Sequence, residues 1–316
     1  MKVAITGGSG FIGSAIYREC LNRGQKVVLL DRSKPPNTLP EGVTWRECDV
    51  SDLDSVKKAM SEERPDHLYL IAGVLGTEEL NYAPAEAVKV NIGGVANFME
   101  LAVEGKLPKT FYVTKPNIWE DNMYTVTKKA SVEMIRSYIR NFGVKGVIHR
   151  WYNAYGPGQH THPVRKAVPY FILQALHDRP LKIFGHGHQT ADFIHVDDVA
   201  KVAVEAMSAE TPTGREVVEV GSGFELSVNN LAKRIIKLTN SKSEIVHVPM
   251  RMGEEDNTRL CADISRLRGV MGFEFQFKDF DKGMMETIEH YRNLPEAQKK
   301  EALDFYEKID QEKESQ

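Results

Sequence analysis

Tyr124 and Lys128, in Met123-Tyr124-Thr125-Val126-Thr127-Lys128-Lys129-Ala130, stand four residues apart. On a helix that spacing places two side chains on one face, a turn apart. An ammonium so placed favours the phenolate and pulls a tyrosine pKa down from about 10 towards working pH, which makes the phenol a base for a substrate hydroxyl. Such pairs also arise by chance on amphipathic helices. Here the chain's opening gives the pair weight: Thr6-Gly7-Gly8-Ser9-Gly10-Phe11-Ile12-Gly13 follows the apolar run Lys2-Val3-Ala4-Ile5 and precedes a stretch of helical spacing that ends near Gly24. Gly7, Gly10 and Gly13 allow a tight turn, close approach of backbone to a pyrophosphate, and close packing of helix on strand. The helix N-terminus offers its N–H groups to the phosphates. The next apolar run, Lys26 to Leu30, ends in Asp31, placed to take adenosine ribose hydroxyls and to repel a 2′-phosphate. NAD is therefore expected over NADP, with Arg32 the neighbour that argues the other way. The two motifs together point to redox chemistry on an alcohol.

Further stretches appear in a telling order: Glu47-Cys48-Asp49-Val50-Ser51-Asp52, Asp66 to Gly73, Asn91-Ile92-Gly93-Gly94, Arg150 to Gly158, Asp192-Phe193-Ile194-His195-Val196-Asp197-Asp198, and Ala262-Asp263-Ile264-Ser265. With them the chain resembles the extended short-chain dehydrogenase/reductases of the NAD-dependent nucleotide-sugar epimerase/dehydratase family, most of all the UDP-hexose 4-epimerases. The resemblance reaches to about Arg292. It implies that Tyr124 takes a proton from a sugar hydroxyl, normally on C4, and that Lys128 holds the nicotinamide ribose and keeps the tyrosine acidic. Thr114 would hydrogen-bond the reacting oxygen. Phe11 and Ile12 would line the pyrophosphate, Asp49 and Val50 the adenine, and Ala72 and Gly73 would let the cofactor lie close. Asn153, Arg251 and Arg259 would face a nucleoside-diphosphate sugar. A homodimer paired through the 84–104 and 123–142 helices is also implied.

Departures from that pattern bear on the reaction. Only Lys115 to Met123 separate Thr114 from Tyr124, where the family usually has a longer loop. Sugar 4,6-dehydratases tend to carry an Asp-Glu pair just after the threonine; this chain has Lys115-Pro116. Glu120 and Asp121 lie near and are read as a solvated turn before a helix. Ala191 stands where relatives often place a phosphate-binding arginine. An epimerase is the first expectation, a dehydratase or reductase on the same 4-keto sugar the second. A catalytically idle NAD-sensing protein is the reading from outside the enzymes, opposed by intact Tyr124 and Lys128.

These residues need elements to position them. Strand-like runs at 2–5, 26–30, 43–47, 67–72, 110–114 and 146–150 alternate with helical patterns near 11–23, 52–61, 84–104 and 123–142. That alternation predicts an α/β fold, a doubly wound parallel (Rossmann) sheet over residues 1–153. A return near 189–207 should rejoin it. Residues 154–293, opening on Gly156-Pro157-Gly158 and a helix at 165–178, should form a smaller mixed α/β substrate-binding lobe over the carboxyl ends of the strands. The charged tail 294–316 reads as a surface helix fraying into disorder.

Composition excludes other classes. At 316 residues and 41% hydrophobic the chain can bury a full core, and a net charge of −3 gives no case for nucleic acid or an anionic membrane as partner. No apolar run reaches membrane-span length, no signal peptide is apparent, and a cytoplasmic enzyme is expected. Cys20, Cys48 and Cys261 are scattered without metal spacing. The His160/His162 and His186/His188 pairs sit in loops without a shared carboxylate, so no metal is expected. His195 reads as a structural hydrogen-bonder.

Overall fold

Alternation along the first strands decides which layer each side chain joins. In β1 (Lys2–Thr6), Val3 and Ile5 enter one core layer and Ala4 the other; in β2 (Lys26–Asp31), Val27 and Leu29 face as Val3 does, and Val28 and Leu30 face as Ala4 does. Both faces are buried, as a parallel sheet requires. The computed structural model describes residues 1–35, 38–209, 216–267 and 275–314.

Between these strands lies α1 (Phe11–Asn22), and β3 (Val43–Glu47), α2 (Leu53–Glu63) and β4 (His67–Leu70) follow. A short helix α3 (Pro84–Ala87) leads through one wide turn, Val88–Gly93, into α4 (Gly94–Val103). Then come β5 (Lys109–Thr114), α5 (Met123–Phe142), β6 (Gly146–Trp151) and β7 (Asn153–Tyr155). The second half holds α6 (Ala167–Leu176), β8 (Leu181–Phe184), β9 (Thr190–His195), α7 (Val196–Ser208), β10 (Val217–Val220), β11 (Glu225–Ser227), α8 (Val228–Thr239) and β12 (Ile245–Val248).

The main sheet has seven strands in the order β10-β6-β5-β4-β1-β2-β3, all parallel. It is the doubly wound Rossmann sheet the sequence predicts. Core residues from α1 and α7 cover one face, and those from α2, α4 and α5 the other. The chain does come back to this sheet after residue 153, through α7, which packs on α1, and through β10, which pairs with β6. β10 was not foreseen, because Val217-Val218-Glu219-Val220 is a short run in a turn-rich region. β9 pairs instead with β7 and β11, and β8 with β12, in two smaller sheets.

Three boundaries differ from expectation for visible reasons. β4 stops at Leu70, short of 72, because the Ile71 and Ala72 N–H groups donate to Thr6 Oγ1 at 3.0 and 3.1 Å. The expected continuous helix 84–104 is interrupted by the wide turn, which frees the Asn91 carbonyl to accept the Ser131 hydroxyl at 2.8 Å. The tail is helical over Glu296–Glu314 and is not a loose surface segment: Ala302, Leu303 and Tyr306 are buried in the core built around α6, and Asp310 accepts from Arg165 at 2.6 Å. Residues 315–316 lie outside the described residues. No described helix is long and apolar enough to cross a membrane.

Candidate active site

The loop after β1 turns back on itself. Gly7 has φ 65°, a left-handed conformation that glycine adopts freely, and its N–H reaches Leu30 O at 2.9 Å. Ala72 packs on it from the end of β4: a β-carbon on Gly7 would lie 3.1 Å from Ala72 Cα. Gly13 is more tightly enclosed still, since a β-carbon there would lie 2.4 Å from Gly7 O. Gly10 caps α1 with no side chain, so no capping side chain takes up the first-turn amides of Phe11, Ile12 and Gly13. Asp31, at the carboxyl end of β2, accepts the Ser9 N–H at 3.3 Å, so its carboxylate lies at the loop's rim; Arg32 beside it is exposed. Burial pushes the Asp49 carboxyl up, but its bonds from the Ser51 hydroxyl and amide, with Arg32 and Lys89 nearby, hold it below the usual range. Val50 is buried against Gly94 and its carbonyl accepts from Asn97 at 2.8 Å. Gly73 abuts the Asn91 side chain, which clamps Val74 through its N–H and its carbonyl at 2.9 and 3.0 Å. A cradle that side chains would fill, an uncapped helix start and a carboxylate at the second strand's end together fit NAD.

Further along the strands' carboxyl ends, β5 delivers Thr114 and α5 delivers Tyr124 and Lys128. Asn122 caps α5, accepting the Thr125 N–H at 2.9 Å, so Tyr124 lies in the first turn and Lys128 one turn on. Thr114 Oγ1 is buried and has no hydrogen-bond partner among the described residues. Lys128 Nζ lies 4.7 Å from the centroid of the Tyr112 ring. Burial pulls the Lys128 ammonium's pKa down, with Tyr124 opposing. The Tyr124 phenol is itself pushed above its ordinary value, because burial outweighs the nearby Lys128 charge and the Tyr112 phenol adds to it. The expectation of a net downward shift thus fails for the protein alone. Lys128 acts in the expected direction but does not dominate.

The short connection 115–123 holds what the sequence did not disclose. Lys115 is buried, its Nζ 2.7 Å from Glu120 Oε2, 2.7 Å from Thr125 Oγ1 and 5.4 Å from the Tyr124 ring centroid. Glu120 is therefore not part of a solvated turn: it is buried, ion-paired and bonded by Asn122 Nδ2 at 3.3 Å, whereas Asp121 is exposed as expected. The spacing of Lys115 and Glu120, five apart in an irregular loop, carries no periodic signal that could have revealed the pair.

The NAD dependent epimerase/dehydratase family model matches residues 3–221. The chain belongs to this family. It is an enzyme of that family, and NAD is its cofactor. It is 27% identical to the UDP-N-acetyl-alpha-D-glucosaminuronate decarboxylase of Bacillus cytotoxicus over 93% of this chain and 98% of the relative. With the dTDP-glucose 4,6-dehydratase of Salmonella typhimurium it shares 25% identity over 92% of each. Among solved structures it superposes on the UDP-glucose 4-epimerase of Thermotoga maritima with a TM-score of 0.84 at 24% identity, covering 92% of this chain and 99% of that one. The fold is thereby shared across family members named for different reactions.

Arg251 stacks on Phe184 at 4.9 Å and donates to Glu254, which also accepts from Thr77 at 2.8 Å. Lys166, at the start of α6, has a pKa pulled down to about 8 by burial and by Arg251, which marks a crowded cationic region that sequence reading passed over. Asn153 is exposed on β7, its Nδ2 3.5 Å from Asp192 O. Arg259 lies at the surface, paired with both carboxylate oxygens of Glu225 at 2.7 and 2.6 Å. Ala191 pairs with Leu226 across β9 and β11. His186 bonds Asp256, and His162 lies 3.7 Å from Glu301. His195 does cap a helix, accepting the Asp197 N–H at 3.2 Å. Its neighbours Asp197 and Glu286 offer ligand-type atoms within 4.8 Å, but the Lys278 ammonium already sits 3.1 and 2.6 Å from those two carboxylates, which supplies their counter-charge.

Proposed function

We propose that this chain is a nucleotide-sugar 4-epimerase that acts through a transient 4-keto sugar, with a UDP-hexose as its substrate class. One observation carries the choice within the family. After Thr114 the chain places a lysine, and Glu120, the buried carboxylate of the 115–123 connection, is engaged by Lys115 and Asn122. Neither residue that follows Thr114 is an acid, and Glu120 is held in an ion pair, so chemistry confined to C4 is favoured. Solved relatives named as UDP-glucose and UDP-glucuronic acid 4-epimerases support the reading by analogy.

NAD would supply the acceptor for the C4 hydride and its donor back to the opposite face once the 4-keto sugar has turned over. Tyr124 takes the proton of the C4 hydroxyl and returns it to the same oxygen as the carbonyl is reduced. Lys128 favours the phenolate and holds the nicotinamide ribose. Thr114, whose buried hydroxyl lacks a partner, donates to the reacting oxygen. Arg251, released from Glu254, takes the diphosphate, and Asn153 and Arg259 edge the sugar-nucleotide path. The exposed apolar side chains Val88, Val103, Val126 and Phe142, on or beside α4 and α5, suit a homodimer paired through those helices.

A second reading, a 4,6-dehydratase, draws on the burial of Glu120 in the connection that precedes Tyr124, where its carboxyl group, after taking a proton from Lys115, would protonate a leaving hydroxyl. Incubation of the purified protein with UDP-, GDP- and dTDP-sugars, followed by NMR, tests the choice. A C4-inverted sugar is expected; a 4-keto-6-deoxy product would replace the epimerase by the dehydratase.

A further inference from the structure

Lys115, Glu120, Asn122 and Thr125 close a ring of buried polar contacts. Lys115 Nζ donates to Glu120 Oε2 and to Thr125 Oγ1, each at 2.7 Å. The Thr125 hydroxyl spends its one proton on Asn122 Oδ1 at 3.0 Å, which leaves a lone pair for the lysine. Asn122 Nδ2 returns to Glu120 Oε2 at 3.3 Å and also reaches Gly253 O at 3.3 Å. Side chains of Lys115 and Glu120 are 7% and 4% exposed, so the pair is shielded from water and its geometry is fixed. The ring closes the short connection between Thr114 and Tyr124, and the Tyr124 ring leans on it, 5.4 Å from the ammonium.

We infer that Lys115 is a positioning residue for Tyr124, its locked ammonium fixing the phenol ring from the strand side while Lys128 acts from the helix. The assignment of Tyr124 as the proton-transfer group rests on the proposed function; the placement of the ring does not. Tyr124 lies in the first turn of α5, where its own helix restrains it least. A cation against an aromatic face both holds the ring and favours its phenolate. The charged and titratable groups that face Tyr124 are Lys128 on its own helix, Tyr112 on β5 and Lys115 beyond β5; around Lys115 stand Glu120 and Glu254, with Lys166 next to them. Burial pulls the Lys115 pKa down, and the Glu120 hydrogen bond and charge, with Glu254 nearby, oppose that pull.

The test uses the full chain loaded with NAD and follows phenolate absorbance as pH rises, each protein measured against the same protein carrying Tyr124→Phe. The titration needs no sugar, so an error in the assigned reaction leaves its result standing; only the turnover measurements depend on the substrate. Lys115→Met should raise the pH at which Tyr124 ionises by about one unit and lower kcat about tenfold or more, with KM and NAD affinity within about twofold. Lys115→Arg should recover most of both. Thr125→Val, which removes one anchor only, should shift the titration in the same direction by less, and it decides the matter if Lys115→Met does not fold. An unchanged Tyr124 titration in Lys115→Met or, failing that protein, in Thr125→Val, would overturn the inference. So would a Lys115→Met protein that still oxidises C4 at the normal rate but no longer releases water, since Lys115 would then be an acid or base of elimination.

Discussion

Gly13 faces the Gly7 carbonyl so closely that a β-carbon would lie 2.4 Å from the oxygen, a contact that backbone cannot relieve by rotating a side chain. Helix α1 and the loop would have to part. Gly13→Ala should therefore weaken NAD binding at least about tenfold while the far layer around α6 stays folded. Isothermal calorimetry checks it; unchanged affinity would show that the cradle tolerates the shift.

Asp31 offers its carboxylate at the same rim, 3.3 Å from the Ser9 amide. NAD should bind far better than NADP, because a 2′-phosphate would meet this charge. Asp31→Asn should narrow the preference by about tenfold or more. Equal or tighter NADP binding by the unaltered protein would mean that Arg32 dominates.

Tyr124→Phe should lower turnover by at least about a hundredfold with NAD affinity nearly unchanged, since the ring still fills its space and only the proton-transferring hydroxyl is gone. Lys128→Met should reduce both rate and cofactor affinity. It should also raise the pH at which activity appears: burial already lifts the Tyr124 phenol, and Lys128 opposes that lift. A Tyr124→Phe enzyme retaining more than about a tenth of its rate would remove Tyr124 from its role.

The sheet was legible because its strands alternate with helices and its first turn is written in glycines, each a local signal. The placement of Thr114 at a strand end and of Tyr124 and Lys128 a turn apart on one helix was legible for the same reason. What escaped is non-local. β10 is four residues whose partner, β6, lies far back in the chain. The docking of Tyr306 onto Tyr170, rings edge-on at 5.0 Å, joins a charged tail to α6 across the whole second half. The Lys115–Glu120 pair sits in a loop without periodicity, and the phenol's pKa depends on burial, which spacing alone does not report.

His149, on β6, is fully buried, lies edge-on to Phe111 at 4.8 Å and has neither ring nitrogen bonded within the described structure. Burial lowers its pKa to about 3, against about 6.5 in an unfolded chain. Below about pH 6.5 the unfolded chain takes up a proton that the folded one refuses, so stability falls as pH drops through that window and is intact above it. His149→Phe should flatten the loss of melting temperature between pH 6.5 and 4; an unchanged slope would mean that other groups set the acid limit.

In the proposed reaction chemistry stays at C4, the hydride leaving and returning within one site. Turnover of a UDP-hexose in deuterated water, read by mass spectrometry and NMR, tests this directly. A C4 isomer of unchanged mass with no deuterium on carbon is expected; a product lighter by water or carbon dioxide, or one carrying solvent deuterium at C5, would overturn the 4-epimerase reaction.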